Sequence, residues 1–503
     1  MNIKKSIWIM VAMAGAGLLS ACTDLVTKEV DSRIVVTTGG TTNSKAVDLL
    51  QSSYNDLGTL ADQAGVYSLF EHTSDELIPP TRGVDWSDNG VWRSLYTHTW
   101  DPSHSYILSS WNALNQNAFR ASLILDAGDA TARQKAEAKF LRAYNTWFVM
   151  DLWGKVPFRK TTDGATVNPV VLTRSEAFDL IVQDLTEALP DLSTSGPFKV
   201  NDAPNPTATR AAANALLARL YLNKAVYKDD DGLPPFTFDA ADMTKVVQYC
   251  DAVAADGYSL AANYFDNFKA AGTSEILLTS QQGTPQNRVY MTLHYSQNPS
   301  GWNGFATVAD FYAKFEDGDV RKGIPATPDE SAYSGIGRGF LVGVQKTDKG
   351  ADVIDTRTQL PLDFTPEVPL SGAPTFTGIR VIKYHPADYG KYILMRYGDV
   401  YLMKAEALMR GGTGSTTALA MMNALRSNRD ASALGSVDEN TMLDERGREL
   451  YWEGIRRVDL IRFGRFNDDW AEKGDNKDPF RVLFCIPQQA IDSNPNLKQN
   501  SGY

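Results

Sequence analysis

The chemistry this sequence offers most plainly is aromatic rings set among hydroxyl-binding side chains. One group runs His72-Thr73-Ser74-Asp75-Glu76, then Thr81-Arg82-Gly83-Val84-Asp85-Trp86, then Trp92, Tyr96 and Trp100. A second comprises Tyr290, Tyr295, Asn298, Gly301, Trp302, Asn303 and Phe305. A sugar ring carries C–H groups on one face and hydroxyls around its rim. A Trp or Tyr face covers the first, and Asp, Asn and Arg hydrogen-bond the second. The same rings can instead pin long loops to a core, which is the role assigned to Trp92 and Trp100.

Motifs for covalent or metal chemistry are missing. There is no GxSxG, HExxH, GxxxxGK[ST] or Cys/His metal spacing. The histidines, His72, His98, His104, His294 and His385, show no ligand spacing on a helix and read as structural or surface residues. Gly335-Ile336-Gly337-Arg338-Gly339 does not open a helix after a strand, so it is not read as a phosphate cradle. Asp229-Asp230-Asp231-Gly232 could hold Ca2+ through oxygens, but the spaced ligands and closing Glu of an EF-hand are absent. A solvated turn is the expectation there, with no cofactor and no metal. A pair of carboxylates for glycoside hydrolysis needs a set separation that a sequence with 60 Asp and Glu cannot show.

These residues must be held by a fold, and the apolar pattern is helical. Helices are expected over 46–60, 111–125, 132–152, 174–189, 211–227, 239–255, 392–409, 416–426 and 444–464. In the clearest, Ala136, Phe140, Tyr144 and Phe148 recur every four residues, and Gly154 and Pro157 stop it. Thr173 with Glu176 three positions on is a capping box. Ala136 and Phe140 fit a fragment of the tetratricopeptide pattern, and Ala136-Glu137-Ala138 recurs as Ala405-Glu406-Ala407. Helical pairs interrupted by long insertions are expected, with insertions at 71–110, 159–172 and 259–391. The last carries short β-like runs at 276–279 and 289–293. Loops that long usually carry function. Cys250 and Cys485 lie in apolar sequence and are expected as buried thiols without a disulfide.

The chain has 503 residues, 43% of them apolar, and a net charge of −11. That is too apolar for a disordered chain, and an acidic chain without a Lys/Arg cluster is not expected to bind nucleic acid. Residues 1–21 read as a signal peptide, with Lys4 and Lys5 ahead of a charge-free run. Leu19-Ser20-Ala21-Cys22 resembles a bacterial lipobox, which implies cleavage before Cys22 and lipidation of its thiol. Losing two lysines and no acid changes the net charge from −11 to −13. Residues 22–43, polar and rich in Thr and Gly, read as a flexible tether. No later stretch is long and apolar enough to cross a bilayer as a helix.

Four stretches resemble the SusD/RagB family of outer-membrane lipoproteins. They are Ala136-Glu137-Ala138-Lys139-Phe140-Leu141-Arg142-Ala143-Tyr144 with Trp153-Gly154-Lys155-Val156-Pro157; Tyr392-Ile393-Leu394-Met395-Arg396-Tyr397-Gly398-Asp399-Val400-Tyr401-Leu402; Asp444-Glu445-Arg446-Gly447-Arg448-Glu449-Leu450-Tyr451-Trp452-Glu453-Gly454 with Arg456-Arg457-Val458-Asp459-Leu460-Ile461-Arg462-Phe463; and a tail from Ile486-Pro487 to Asn500. Glu449, Glu453, Arg456, Arg457 and Asp459 fall at helical spacing and are expected to form an ion-pair network, with Arg142 and Arg396 in similar roles.

The resemblance implies a mainly α fold. Tetratricopeptide-like helix pairs would form a right-handed superhelical scaffold over 44–258 and 392–503, within a single domain of residues 44–503. An irregular ligand-binding region, mainly 71–110 and 259–391, would carry short β-strands. The implied role is non-catalytic. A cell-surface lipoprotein anchored in the outer membrane at Cys22 would capture oligosaccharides for nutrient uptake and deliver them to a SusC-like TonB-dependent transporter. By the same resemblance, the sugar contacts are Asp75, Arg82, Trp86, Tyr290, Trp302, Asn303, Arg380 and Tyr389. A peptide- or glycopeptide-capturing lid of the same family, or a surface glycoside hydrolase, are the alternatives.

Overall fold

The computed structural model describes residues 45–503 except 165, 195, 197–206, 230–231 and 282–285. The expected signal peptide, lipidation site and tether lie outside the described residues, as do Asp230 and Asp231 of the acidic turn. Among the described residues, no helix is long and apolar enough to cross a membrane.

The scaffold is a run of helices in which each packs on its neighbours: α1 (Ala46–Asp56), α2 (Ser105–Asp126), α3 (Ala132–Trp153), α4 (Arg174–Ala188), α5 (Arg210–Leu222), α6 (Ala240–Ala255), α7 (Tyr397–Met409) and α8 (Ala418–Asn428). This nearest-neighbour stacking is that of tetratricopeptide-like repeats. α3 is capped by Thr131 with Gln134 and closed by Gly154 at φ 68°. Its expected apolar stripe is part of a helix buried nearly all round from Ala136 to Trp153, as befits an element inside the stack. The Thr173–Glu176 capping box of α4 is present.

Local breaks divide three expected helices. Residues 211–227 are interrupted at Asn223. The stretch 392–409 starts instead as strand β2 (Ile393–Arg396), antiparallel to β1 (Ile276–Thr279), and only then turns into α7. Pairing with a fully buried strand overrides helical propensity there. The stretch 444–464 is α9 (Glu439–Leu450), a break at 451–455, and α10 (Arg456–Arg462). Trp452 at φ 59° and Gly454 at φ 74° make the break. Residues 289–293 are not a strand, because a short helix ends at Tyr290 and turns follow. The 71–110 stretch is not all irregular; it contains the helix Val91–Tyr96 and the start of α2.

Two large apolar cores result. One fills the helical stack and includes Trp100, Trp111, Trp147 and Trp153. The other fills the irregular half and includes Trp92, Phe305, Phe340 and Tyr451. Cys250 and Cys485 are buried free thiols.

Buried ion pairs run through the helical half, and those to Glu275 tie the irregular half to it. Arg396 reaches Glu275 and Glu449 at 2.9 Å and Glu453 at 2.7 Å. Arg429 reaches Glu449 at 3.0 Å, Arg446 holds Asp399 and Asp459 at 2.8 Å, and Arg462 holds Glu406 and Asp459 at 2.7 Å. Burial alone would raise the Glu449 carboxyl, but Arg429, Arg396 and Arg321 hold it well below its ordinary value. Arg142 forks onto Asp184 at 2.6 and 2.7 Å. The family-like motif is therefore an electrostatic spine that positions the irregular half.

Candidate functional site

The loop 290–305 folds back on itself through backbone hydrogen bonds. The amides of Trp302, Asn303 and Gly304 donate to the carbonyls of Tyr290, Leu293 and Met291 at 2.6, 2.8 and 2.8 Å. Gly301 permits this closure, since a Cβ there would meet the Leu293 carbonyl oxygen at 2.1 Å. The fold-back sets the Trp302 ring beside that of Tyr290, with centroids 5.8 Å apart and planes at 31°. Trp302 is 40% exposed, and Tyr290 is half-buried.

Trp86 joins them from a segment far away in sequence. Its indole N–H donates to the Trp302 carbonyl at 2.9 Å, and its ring lies 6.4 Å from that of Trp302. Gly304 makes room, because a Cβ there would sit 2.5 Å from Trp86 Cε2 and Cζ2. Trp86 and Asn303 both adopt positive φ, 61° and 51°. Side chains rarely accept this backbone state, and it persists only where the surroundings over-determine it. Phe305 and Trp92 back the Trp86 ring at 4.7 and 5.9 Å. The product is a partly exposed aromatic platform of Tyr290, Trp302 and Trp86.

Beneath the platform lie Asn303, Arg82 and Arg380, all buried. Asn303 Nδ2 donates to the Thr375 carbonyl at 2.9 Å, and its Oδ1 accepts from Arg380 Nη2 at 2.6 Å. Arg82 donates to the carbonyls of Asn303 at 3.0 Å and Thr377 at 2.7 Å. Arg380 donates to the Thr377 and Thr375 carbonyls at 2.8 and 3.0 Å. Burial pulls the Arg82 guanidinium down to about 10. Burial, and then the neighbouring Arg82, lowers Arg380 well below its ordinary value. These two arginines bind the 374–378 turn to Asn303 and so fix the platform from below.

The remaining candidates lie elsewhere. Asp75 forks onto Arg456 at 2.7 and 2.8 Å, so its carboxylate belongs to the spine. Tyr389 is half-buried, and its bridge partner is Lys269 rather than a platform residue. The polar rim is Asp85, Tyr295 and Arg357; the first two fall within the aromatic-polar groups of the sequence but are not among the expected sugar contacts, and Arg357 lies outside both groups. Tyr295 and Arg357 donate to Asp85 at 2.7 and 3.3 Å. The Arg357–Asp85 contact spans 272 positions, and no local signal marks Arg357. Among the described residues, no group of His, Cys, Asp and Glu could hold a metal ion.

Comparison with known proteins agrees with this architecture. Residues 386–503 match the model described as the SusD family, and residues 43–222 match the one described as "Starch-binding associating with outer membrane". The chain belongs to the SusD-like family. It is 27% identical to the starch-binding protein SusD of Bacteroides thetaiotaomicron, over 83% of this chain and 82% of that protein. It is 25% identical to SusD-like protein P2 of Formosa agariphila, over 83% and 81% of the two chains. Among solved structures, a SusD superfamily protein of Parabacteroides distasonis superposes with a TM-score of 0.69 at 19% identity, covering 91% of this chain and 98% of that one. A laminarin-binding SusD-like protein superposes with a TM-score of 0.66 at 21% identity, covering 91% and 99%. The mainly helical SusD-like fold, with a stacked scaffold and small sheets in the irregular half, is thereby established.

Proposed function

We propose that this chain is a non-catalytic glycan-binding lipoprotein of the cell surface. Anchored in the outer membrane through a lipid on Cys22, it captures oligosaccharides on the platform of Tyr290, Trp302 and Trp86 and passes them to a SusC-like TonB-dependent transporter. The observation that carries this reading is the Tyr290–Trp302 pair: two rings 5.8 Å apart, the second 40% exposed, on a loop closed by its own backbone. Rings held in place cost little ordering entropy when a sugar stacks on them. The named ligands of two relatives, starch and laminarin, support the ligand class. A partly exposed platform favours a glycan over a peptide, which would be expected to use a groove with free strand edges.

A glycan array tests the reading. Retention of an oligosaccharide without release of reducing ends supports it; reducing-end release would make the protein a hydrolase, and peptide binding without glycan binding would make it a peptide lid. Co-purification with a TonB-dependent transporter from outer membranes tests the partner.

A further inference from the structure

At the edge of the platform, side chains from three separate segments meet on one carboxylate. Tyr295 Oη donates to Asp85 Oδ2 at 2.7 Å, and Arg357 Nη2 donates to the same oxygen at 3.3 Å. The Arg357 guanidinium also lies over the Tyr295 ring, 4.4 Å from its centroid. Asp85 directly precedes Trp86, and Tyr295 belongs to the loop that carries Trp302, so the cluster adjoins the platform covalently on two sides.

The ion pair here is a poor structural device. Its side chains are 53% and 36% exposed, and an exposed pair stabilises a fold little. Yet the arm bearing Arg357 is held with care. Thr356 N donates to Ser296 Oγ at 3.1 Å, Arg357 N to Asp355 Oδ1 at 2.9 Å, and Thr375 Oγ1 to Asp355 Oδ2 at 2.9 Å. Both bonds to Asp85 fall on Oδ2, which leaves Oδ1 as an acceptor and the outer guanidinium N–H groups as donors. Burial, and then the bond to Asp85, pushes the Tyr295 phenol up, so it remains a donor at neutral pH.

We infer that Asp85, Tyr295 and Arg357 form the hydroxyl-reading edge of the platform and select a neutral sugar that presents two adjacent hydroxyls. Asp85 Oδ1 accepts from one hydroxyl while Arg357 donates to its neighbour, and Tyr295 fixes the carboxylate between them. A sugar acid or sulfate could take the Arg357 guanidinium only by displacing it from Asp85, whose carboxylate would then face the anion, so an anionic sugar is disfavoured. The inference rests on the platform reading and deepens it.

Calorimetry on the full chain tests it with three probes: maltoheptaose, laminariheptaose and an oligogalacturonate of the same length. The parent should bind at least one neutral probe, and bind the oligogalacturonate at least about tenfold more weakly. Asp85→Asn and Arg357→Ala should each weaken neutral binding about tenfold, the scale of one charge-assisted hydrogen bond. Arg357→Lys should recover only part, because an ammonium lacks the fork. If Trp302→Ala loses binding while Asp85→Asn and Arg357→Ala stay within twofold of the parent, the edge is not a reader, although the platform stands. Tighter binding of the oligogalacturonate overturns the neutral-sugar assignment. If neither neutral probe binds, this inference falls while the array still tests the platform; if Trp302→Ala changes nothing, the platform reading falls and this inference falls with it.

Discussion

The indole N–H of Trp86 donates to the backbone carbonyl of Trp302 across 216 positions of sequence, at 2.9 Å. One bond thus fixes two aromatic rings from two insertions onto one platform. Neither Trp86 nor Trp302 lies on a helix or strand, so the platform depends on local close packing and on the arginines beneath it.

Gly304 is the tightest point of that packing. An alanine there meets the Trp86 ring at 2.5 Å and the Met291 carbonyl at 2.8 Å. Gly304→Ala should displace Trp86, cost about 1–3 kcal/mol of stability, and weaken glycan binding while leaving the helical stack folded. Tryptophan fluorescence and a denaturation curve check this; unchanged emission and unchanged stability would show that the ring is not held as described.

Arg396 is the centre of the spine, facing Glu275, Glu449 and Glu453. Arg396→Met should lower the unfolding free energy by about 3–5 kcal/mol, since it strips one cation from three buried carboxylates at once. Arg396→Lys should restore only part of the loss. Chemical denaturation measures both, and a change below about 1 kcal/mol for Arg396→Met would contradict the spine's role.

A second buried group opposes alkaline pH. Burial raises the Glu71 carboxyl to about 7, and burial together with Glu71 raises Glu76 well above its ordinary value. These carboxyls accept the amides of Gly454 and Trp452, at the break between α9 and α10. A raised carboxyl holds a proton that the unfolded chain releases above about 4.5. The stabilisation is therefore complete below 4.5 and lost as pH rises through 7. The parent should lose stability over that window as the Glu71–Glu76 pair gives up its proton, and Glu76→Gln should flatten the slope. Melting curves from pH 5 to 8 decide it, with parallel slopes for parent and variant as the contradicting result.

The anchor has its own test. Cys22→Ala should abolish incorporation of labelled fatty acid and release the protein from the outer membrane; retained label would place the lipid elsewhere.

Much of the scaffold was legible because its signals are local. The caps Thr173 and Gly154 and the four-residue spacing along α3 lie within a few positions of the residues they control. The spine was legible in kind, because Glu449, Glu453, Arg456, Arg457 and Asp459 crowd one short segment. Its partners were not: Asp75 meets Arg456 across 381 positions, and that pairing turns a sugar-binding candidate into a structural residue. The break at 451–455 escaped the helical pattern for a similar reason. Tyr451 and Trp452 leave the helix to enter the second core, while Leu450 and Val458 on either side belong to other clusters. In the site, the types of residue pointed to stacking on Trp86 and Trp302. Which polar groups reach the rim depends on loop closure, which no spacing encodes.

The central claim is that the Tyr290–Trp302–Trp86 platform binds a glycan. Isothermal titration of the parent and of Trp302→Ala against the glycan retained on the array tests it most directly. The prediction is micromolar to millimolar binding by the parent, with no turnover, and loss of measurable heat in the variant while its melting temperature stays unchanged. Equal affinity in the two proteins, or no glycan bound by the parent, would contradict it.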